Sequence, residues 1–158
     1  MKKKVKWIST TTSLIAALAS IGGYKLSGKL MYIQQKDPNF IKERELKAKR
    51  YDENWYNNCD KIALNVESPN DYTISAILLR PLKTSNTIII CHGVTENKIN
   101  SIRYARLFER LGFNSVIFDH RRHGESGGKT TSFGHYEKFD LQATFQNTIF
   151  LIWITLMR

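Results

Sequence analysis

The chain has 158 residues, of which 42% are hydrophobic and 24% are charged, and its net charge is +10. This composition is typical of one globular domain and excludes a disordered chain, and two cysteines exclude a disulfide scaffold. Residues 1–50 hold 12 Lys or Arg and 3 Asp or Glu, against 12 and 11 in residues 51–158. Because a nucleic-acid-binding domain would also carry basic residues on its folded part, we expect no nucleic-acid partner.

Residues 1–33 are predicted to form a membrane anchor or a signal segment. Four lysines within residues 2–6 precede an uncharged stretch whose strongly apolar part covers only residues 14–23. A spanning helix needs about 20 mostly apolar residues, and Ala17-Leu18-Ala19 has the form of a signal cleavage site. We expect a membrane-associated protein with a single uncleaved anchor of uncertain orientation. A cleaved signal on a secreted protein and a soluble amphipathic helix are the alternatives.

Residues 34–59 are predicted to form a charged linker helix. Asp37 can cap this helix and Pro38 suits its first turn. The apolar residues are sparse, and the helix is expected to end near Asn57. A solvated charged face is the interpretation we prefer for this segment.

Three strands are predicted next. Residues 61–68 and 72–79 alternate apolar and polar side chains around a turn at residues 69–71, which indicates an antiparallel hairpin. Residues 87–91 are apolar on both faces, so we expect a central strand that is covered on both sides.

A helix and a fourth strand complete the predicted sheet. Apolar residues at helical spacing in residues 101–111 indicate an amphipathic helix that Ser101 caps and Gly112 ends. Residues 114–119 form the next buried strand. Strand, helix and strand give a parallel βαβ unit, so the fold class is α/β, with N-terminal helices before an antiparallel hairpin and this unit.

The order of these motifs resembles the N-terminal part of the α/β-hydrolase superfamily, specifically its membrane-anchored bacterial esterase-like or serine-aminopeptidase-like branch. The resemblance covers about residues 61–143. It therefore divides the chain into the anchor (residues 1–33), the linker (34–59), a partial hydrolase domain (60–143) and a divergent apolar tail (144–158). The matching motifs are Ile88–Gly93, Tyr104-Ala105, Gly112-Phe113-Asn114, Asp119–Gly128, Thr131–Gly134 and Tyr136–Lys138.

The resemblance implies hydrolysis of an ester, thioester or amide bond in a small or acyl substrate by a serine nucleophile, without a cofactor or a metal. Acyl transfer builds a negative oxygen that backbone N–H groups stabilise, and one donor comes from the loop after the first parallel strand. Val94 is the candidate donor and Thr95 the next. In the loop after the second parallel strand, Asp119 and Arg121 are expected to satisfy backbone groups or to pair.

Ser126 is a weak nucleophile candidate. Gly124-Glu125-Ser126-Gly127-Gly128 matches G-x-S-x-G, but a nucleophile elbow joins a strand directly to a helix. The order of serine, acid and histidine also fails, because the only later histidine is His135 and the later acids follow it. We therefore expect no catalytic triad, a chain truncated before the nucleophile and no activity from it alone. Strand 87–91 would then be an open apolar edge unless the tail covers it.

Three other interpretations stay open. The first is a non-catalytic, membrane-tethered remnant. The second is a nucleotide-binding loop at Gly128-Lys129-Thr130, although His123 stands where the phosphate-loop pattern needs glycine. The third is a metal site formed by His92, Asp119, His120 and His123, although loop histidines more often only donate or accept hydrogen bonds.

Overall fold

The computed structural model describes residues 2–156, and the side chains of residues 12–154. The chain divides into two compact units, Met1–Ile33 and Gln34–Arg158. The first unit contains helix α1 (Lys2–Met31), whose apolar side chains from Leu14 onward are largely exposed. No helix within residues 2–156 has an apolar stretch of the length needed to span a bilayer. The expected spanning anchor is therefore not supported.

The predicted linker helix is two helices. Helix α2 (Pro38–Lys47) begins as expected, because the Asp37 carboxylate accepts hydrogen bonds from the backbone N–H groups of the first turn. It ends near Lys49, whose φ of 56° is left-handed. Helix α3 (Glu53–Asn58) follows, capped by the Asp52 side chain. The prediction of one helix to Asn57 was wrong because the chain turns back on α2 here, with the Arg50 N–H bound to the carbonyl of Glu45.

The predicted sheet is confirmed. Strands β1 (Lys61–Ser68) and β2 (Tyr72–Leu79) form the antiparallel hairpin. Strands β3 (Thr87–Cys91) and β4 (Asn114–Phe118) are parallel neighbours, with Ile89 opposite Val116. The strand order is β1-β2-β4-β3, and β2 pairs with β4 in antiparallel fashion. This is the α/β class that the sequence predicts.

Helix α4 (Lys98–Glu109) connects β3 to β4. Its cap is Asn97, whose side chain accepts a hydrogen bond from the Ile99 N–H, and not Ser101, which is buried inside the helix. The helix therefore starts one turn earlier than predicted. Gly112 ends it as expected, with a φ of +87° that favours glycine.

Two apolar layers cover opposite faces of the sheet. Helix α5 (Glu137–Leu156) packs against β1 and β2, and helices α3 and α4 lie on the other face. Successive strand residues point to opposite faces, so Phe118 lies on the α5 side and Ile117 on the α4 side. The α5-side core contains Leu64, Val66, Ile74, Ala76, Leu78, Val116 and Phe118, and the α4-side core contains Tyr51, Leu79, Ile90, Ile102, Ala105 and Ile117.

Strand β3 lies at an edge of the sheet within the described residues, not at its centre. Its first three residues are only half-buried because no described strand pairs with its outer side. The expectation of a central strand is therefore wrong for the residues described, although both faces pack against the core, Ile89 on the α5 side and Ile88 and Ile90 on the α4 side. Residues 144–156, expected to be a divergent tail, lie within the continuous helix α5.

Candidate functional site

The site is formed where β3 and β4 end. Because the strands are parallel, their carboxyl ends lie at the same edge of the sheet, where open α/β sheets bind ligands. The turn after β3, residues 92–97, therefore meets the loop after β4, residues 119–128. Hydrogen bonds between His92 and His120 and between Thr95 and His123 join the two segments.

Two buried histidines hold the turn. His92 Nε2 accepts a hydrogen bond from the His120 N–H at 2.9 Å, and its Nδ1 lies 2.8 Å from the Gly93 carbonyl, to which it donates. His123 follows the same pattern, accepting from the Thr95 N–H at 3.2 Å and donating to the Arg121 carbonyl at 2.8 Å. Each ring therefore accepts at Nε2 and donates at Nδ1, which is the neutral form of histidine.

Burial keeps His92 uncharged. Loss of solvent contact, reinforced by the neighbouring His120, lowers the pKa of His92 to about 4. Burial also lowers the pKa of His120. The two rings are 4.5 Å apart between centroids, so a proton on one would repel a proton on the other. Since both Nε2 and Nδ1 of His92 are already hydrogen-bonded, this residue orients the turn and is not placed as a base.

The two candidate oxyanion donors differ in availability. The Thr95 N–H already donates to His123 Nε2, and Thr95 has a left-handed φ of 68°. The Val94 N–H has no hydrogen-bond acceptor among residues 2–156, and 44% of this residue is exposed. Val94 is therefore the donor that a ligand at this edge could use.

Asp119 organises the loop after β4. Its carboxylate accepts hydrogen bonds from the Lys98 N–H at 2.7 Å, the Lys98 ammonium at 2.6 Å and the Glu125 N–H at 2.9 Å. Burial opposes the charge of Lys98, but the bonds to Asp119 and Glu125 outweigh this effect and raise its pKa. Asp119 therefore stabilises the loop, and its bond to the Glu125 N–H satisfies a backbone group of the loop as expected.

Arg121 does not pair with Asp119. Its guanidinium lies over the ring of Tyr136, 4.3 Å from the centroid, and 5.4 Å from the centroid of Tyr72. Only 6% of the residue is exposed. These cation–π contacts fix the start of the loop against β2 and the segment before α5.

The Ser126 hydroxyl is used twice within the protein. It donates to the Asp119 carbonyl at 2.6 Å and accepts from the Ser75 N–H at 2.9 Å. The flanking Gly124 and Gly127 lie so close to Asp119 and Tyr72 that a Cβ at either position would collide with them. No helix follows Ser126 until Glu137, so the local geometry is that of a packed loop and not of a strand-to-helix elbow.

Comparisons with known proteins agree with this architecture. No protein-family model matches the chain. The chain is 43% identical over 129 residues to the uncharacterized protein YqkD of Bacillus subtilis, covering 82% of this chain and 42% of YqkD. The Pyrococcus furiosus esterase Pf2001 superposes with a TM-score of 0.50 at 22% identity, over 73% of this chain and 40% of that chain. The chain carries the α/β-hydrolase fold.

A second crystal form of the esterase and a further structure give weaker superpositions. The other Pf2001 form has a TM-score of 0.49 at 25% identity, over 56% of this chain and 34% of that chain. An α/β-hydrolase from Sphaerobacter thermophilus has a TM-score of 0.44 at 22% identity, over 54% and 32%. The chain thus spans less than half the length of the proteins it matches.

Neither of the other ligand sites considered from the sequence has its expected geometry. Among the described residues, no group of three or more His, Cys, Asp or Glu side chains is arranged to hold a metal ion. Lys129 lies in a loop, and residues 130–136 that follow it are not helical. A phosphate-binding loop needs a helix to begin directly after its Lys and Thr.

Two parts of the site were missed from the sequence. Lys98 opens helix α4, a position at which a lysine normally lies in solvent, so no local signal marks its buried bond to Asp119. Glu45 was read as part of a solvated helix face, yet only 1% of it is exposed because arginines surround it. The partner of Lys98 lies 21 positions away, and Arg50 reaches Glu45 only because the chain turns back on α2. The sequence pattern reveals neither contact.

Proposed function

We propose that this protein belongs functionally with the serine hydrolases of its fold, which cleave ester, thioester or amide bonds in small or acyl substrates. One observation carries the proposal. Within residues 2–156 the Val94 N–H has no hydrogen-bond acceptor, and it lies at the carboxyl end of β3 on a turn that hydrogen bonds with His92 and His123 hold in place. This is where the fold supplies an oxyanion donor.

The chemistry that the turn supports is electrostatic. Attack on a carbonyl carbon moves negative charge onto the carbonyl oxygen, and a fixed N–H group stabilises that charge without having to reorient. His92 and His123 fix the turn beneath Val94, and the lowered pKa of His92 keeps that ring uncharged. Loss of one such donor lowers kcat by roughly 100- to 1000-fold in serine hydrolases.

We also propose that residues 1–158 do not turn over substrate by themselves. Both hydrogen-bonding directions of the Ser126 hydroxyl end on backbone groups, and no described histidine bonds to it. A serine nucleophile needs an adjacent base that takes its proton. The nucleophile, acid and base would then come from residues beyond these, in a protein of the length of YqkD. The 158 residues alone would be non-catalytic.

A hydrolysis assay tests both proposals. p-Nitrophenyl acetate and a p-nitrophenyl thioester would be supplied to the purified 158-residue chain and, separately, to full-length YqkD. We expect turnover by YqkD, and no turnover by the chain above that of its Ser126→Ala variant. Inactivity of YqkD towards a broad ester, thioester and amide panel would overturn the hydrolase proposal. Turnover by the chain that disappears in Ser126→Ala would overturn its inactivity.

We propose that α1 binds the surface of anionic membranes. Residues 1–36 contain seven lysines and no acidic residue. The apolar side chains of α1 are exposed, including Leu14, Ile15, Leu18 and Ile21. Lysines near an anionic bilayer contribute about 1 kcal/mol each, and the apolar side chains can enter the interface.

Co-sedimentation with vesicles tests the membrane proposal. We expect the chain to pellet with vesicles of phosphatidylglycerol and phosphatidylcholine, and binding to weaken with salt. A variant in which Lys25 and Lys29 are changed to Gln should bind more weakly. Equal recovery in the supernatant with and without anionic vesicles would contradict the proposal.

A further inference from the structure

A cleft of 680 Å³ opens at the carboxyl end of β3. The end of α2, the turn after β3 and one face of α4 form its walls. His92 and Gly93 belong both to this cleft and to the turn that carries Val94. The cleft therefore borders the candidate oxyanion site.

The carboxylates of the cleft are largely buried, whereas its arginines are partly exposed. Glu45 has 1% of its side chain exposed and Glu96 has 13%. The corresponding values are 43% for Arg50, 30% for Arg44 and 27% for Arg103. The negative charges thus lie beneath the positive ones, so a ligand entering the cleft meets guanidinium groups first.

The buried carboxylates are already satisfied. Glu45 accepts hydrogen bonds from Arg44 and Asn100, and from Arg50 through Nε at 2.8 Å and Nη2 at 3.1 Å. Glu96 accepts two hydrogen bonds from Arg44 at 3.0 and 2.6 Å and also pairs with Lys36. These bonds hold both acids ionised, and they fix Arg44 and Arg50 in place.

Two arginines keep donors that no described residue uses. Arg50 donates hydrogen bonds to Glu45 through Nε and Nη2, and its Nη1 has no partner among the described residues. Among the described residues Arg103 makes a single hydrogen bond, from Nη2 to the Tyr104 hydroxyl at 2.8 Å; its Nη1 is 3.7 Å from Glu45, and its Nε is buried without an acceptor. A guanidinium carries five donors, so an anion could be added without breaking the cluster.

We propose that this cleft binds the carboxylate or phosphate group of an organic ligand through Arg50 and Arg103. Two preset guanidinium groups suit a planar or tetrahedral oxyanion, which each of them can bind with charge-assisted hydrogen bonds. Ile90, Tyr104 and Phe108 form the apolar wall against which the rest of the ligand packs. That this ligand is an acidic acyl substrate rests on the proposed function; the binding of an anion does not.

Isothermal titration of the full chain at low ionic strength tests the proposal, with inorganic phosphate and succinate as separate probes. Arg103→Gln removes unused donors while leaving the closer bonds of Glu45. Arg106→Gln is the matched control, because Arg106 lies one turn along the same helix, pairs with Asp52 and is outside the cleft. Circular dichroism and the melting temperature verify folding of both variants.

We expect at least one probe to bind one-to-one, and Arg103→Gln to weaken it by about tenfold or more while Arg106→Gln changes it little. The stronger probe identifies phosphate or carboxylate as the recognised group. No saturable binding of either probe would overturn the proposal, as would equal weakening by both variants. Unchanged affinity in a destabilised Arg103→Gln variant would show that the cluster only joins α2 to α4. None of these results depends on hydrolysis, so a failed assay of activity is a separate outcome.

Discussion

Gly124 shows how closely the loop after β4 packs. Its φ is +50°, and a Cβ would fall on the carboxylate of Asp119. We expect Gly124→Ala to lower the free energy of unfolding by about 2–4 kcal/mol, from backbone strain and overpacking. Gly93→Ala is the control, since a Cβ there meets nothing within 4 Å, and it should change the value by less than about 1 kcal/mol. Urea denaturation measures both; equal effects would contradict the packing described.

His92 makes stability depend on pH. Its pKa is about 4 in the folded chain and about 6.5 when unfolded, so the unfolded state binds more protons between these values. Stability is therefore full above pH 6.5 and falls on acidification, by about 2 kcal/mol from His92 alone between pH 7.5 and 5. His92→Gln should remove this loss of stability on acidification, so that only the pH dependence caused by His120 remains. An unchanged pH dependence of urea unfolding in His92→Gln would show that His92 is not the source.

For single residues, the sequence predicts contacts between positions that are close together in the chain. The Asp37 cap follows from a single residue beside a helix start, whereas the oxyanion candidates Val94 and Thr95 follow from the resemblance to the hydrolase superfamily and stay predictions. The bond between Lys98 and Asp119 spans 21 positions and the fold alone creates it. Likewise, the choice between Val94 and Thr95 depends on His123, whose ring takes the Thr95 N–H. Such partners cannot be read from periodicity.

Helix α5 is attached to the hairpin through a buried acid. Asp140 is fully buried and accepts hydrogen bonds from the Ser68 hydroxyl at 2.6 Å and from the Tyr72 hydroxyl. Burial and the bond to Asp140 raise the pKa of Tyr72 to about 12. Asp140 thus joins α5 to both strands of the hairpin.

We expect Asp140→Ala to lower the free energy of unfolding by about 2–4 kcal/mol, because the buried Ser68 hydroxyl and the half-buried Tyr72 hydroxyl lose their acceptor. Gln142→Ala is an exposed change on the same helix and should stay within about 0.5 kcal/mol. Chemical denaturation compares the two variants. If both have the same stability as the parent chain, Asp140 does not hold α5 in place.

The elements themselves follow from the sequence except where long-range contacts set their ends. Period-two alternation predicts β1 and β2 with their bounds, and the right-handed crossover predicts that β3 and β4 are parallel neighbours. The break between α2 and α3 was missed because Glu45 binds the returning chain through its backbone and side chain. The start of α4 was missed because three of residues 97–100 are polar and the segment resembles a loop.

The whole molecule has one unprotected sheet edge among its described residues. The outer strand β1 carries Lys61 and Glu67, charges that discourage edge pairing, whereas β3 carries none. Helix α5 flanks β3 but leaves a groove lined by apolar side chains, including Ile89 and Phe145. The uncovered edge anticipated from the sequence is therefore present in residues 2–156.

We expect the 158-residue chain to self-associate through β3 with increasing concentration. Thr87→Lys places a charge on that edge and should shift the population towards monomer, whereas Asn65→Lys, exposed on β1, should not. Sedimentation velocity over a range of concentrations measures the effect. A parent chain that stays monomeric throughout would contradict an exposed β3 edge.

We propose that these residues form the oxyanion side of a serine hydrolase without its nucleophile. Labelling with a fluorophosphonate, followed by peptide mapping in a mass spectrometer, tests it most directly, with full-length YqkD treated in parallel. We predict one labelled serine in YqkD, outside the segment that aligns with this chain, and no adduct on the 158-residue chain. A stoichiometric adduct on Ser126 would contradict the account, because that hydroxyl is bound on both sides by Asp119 and Ser75.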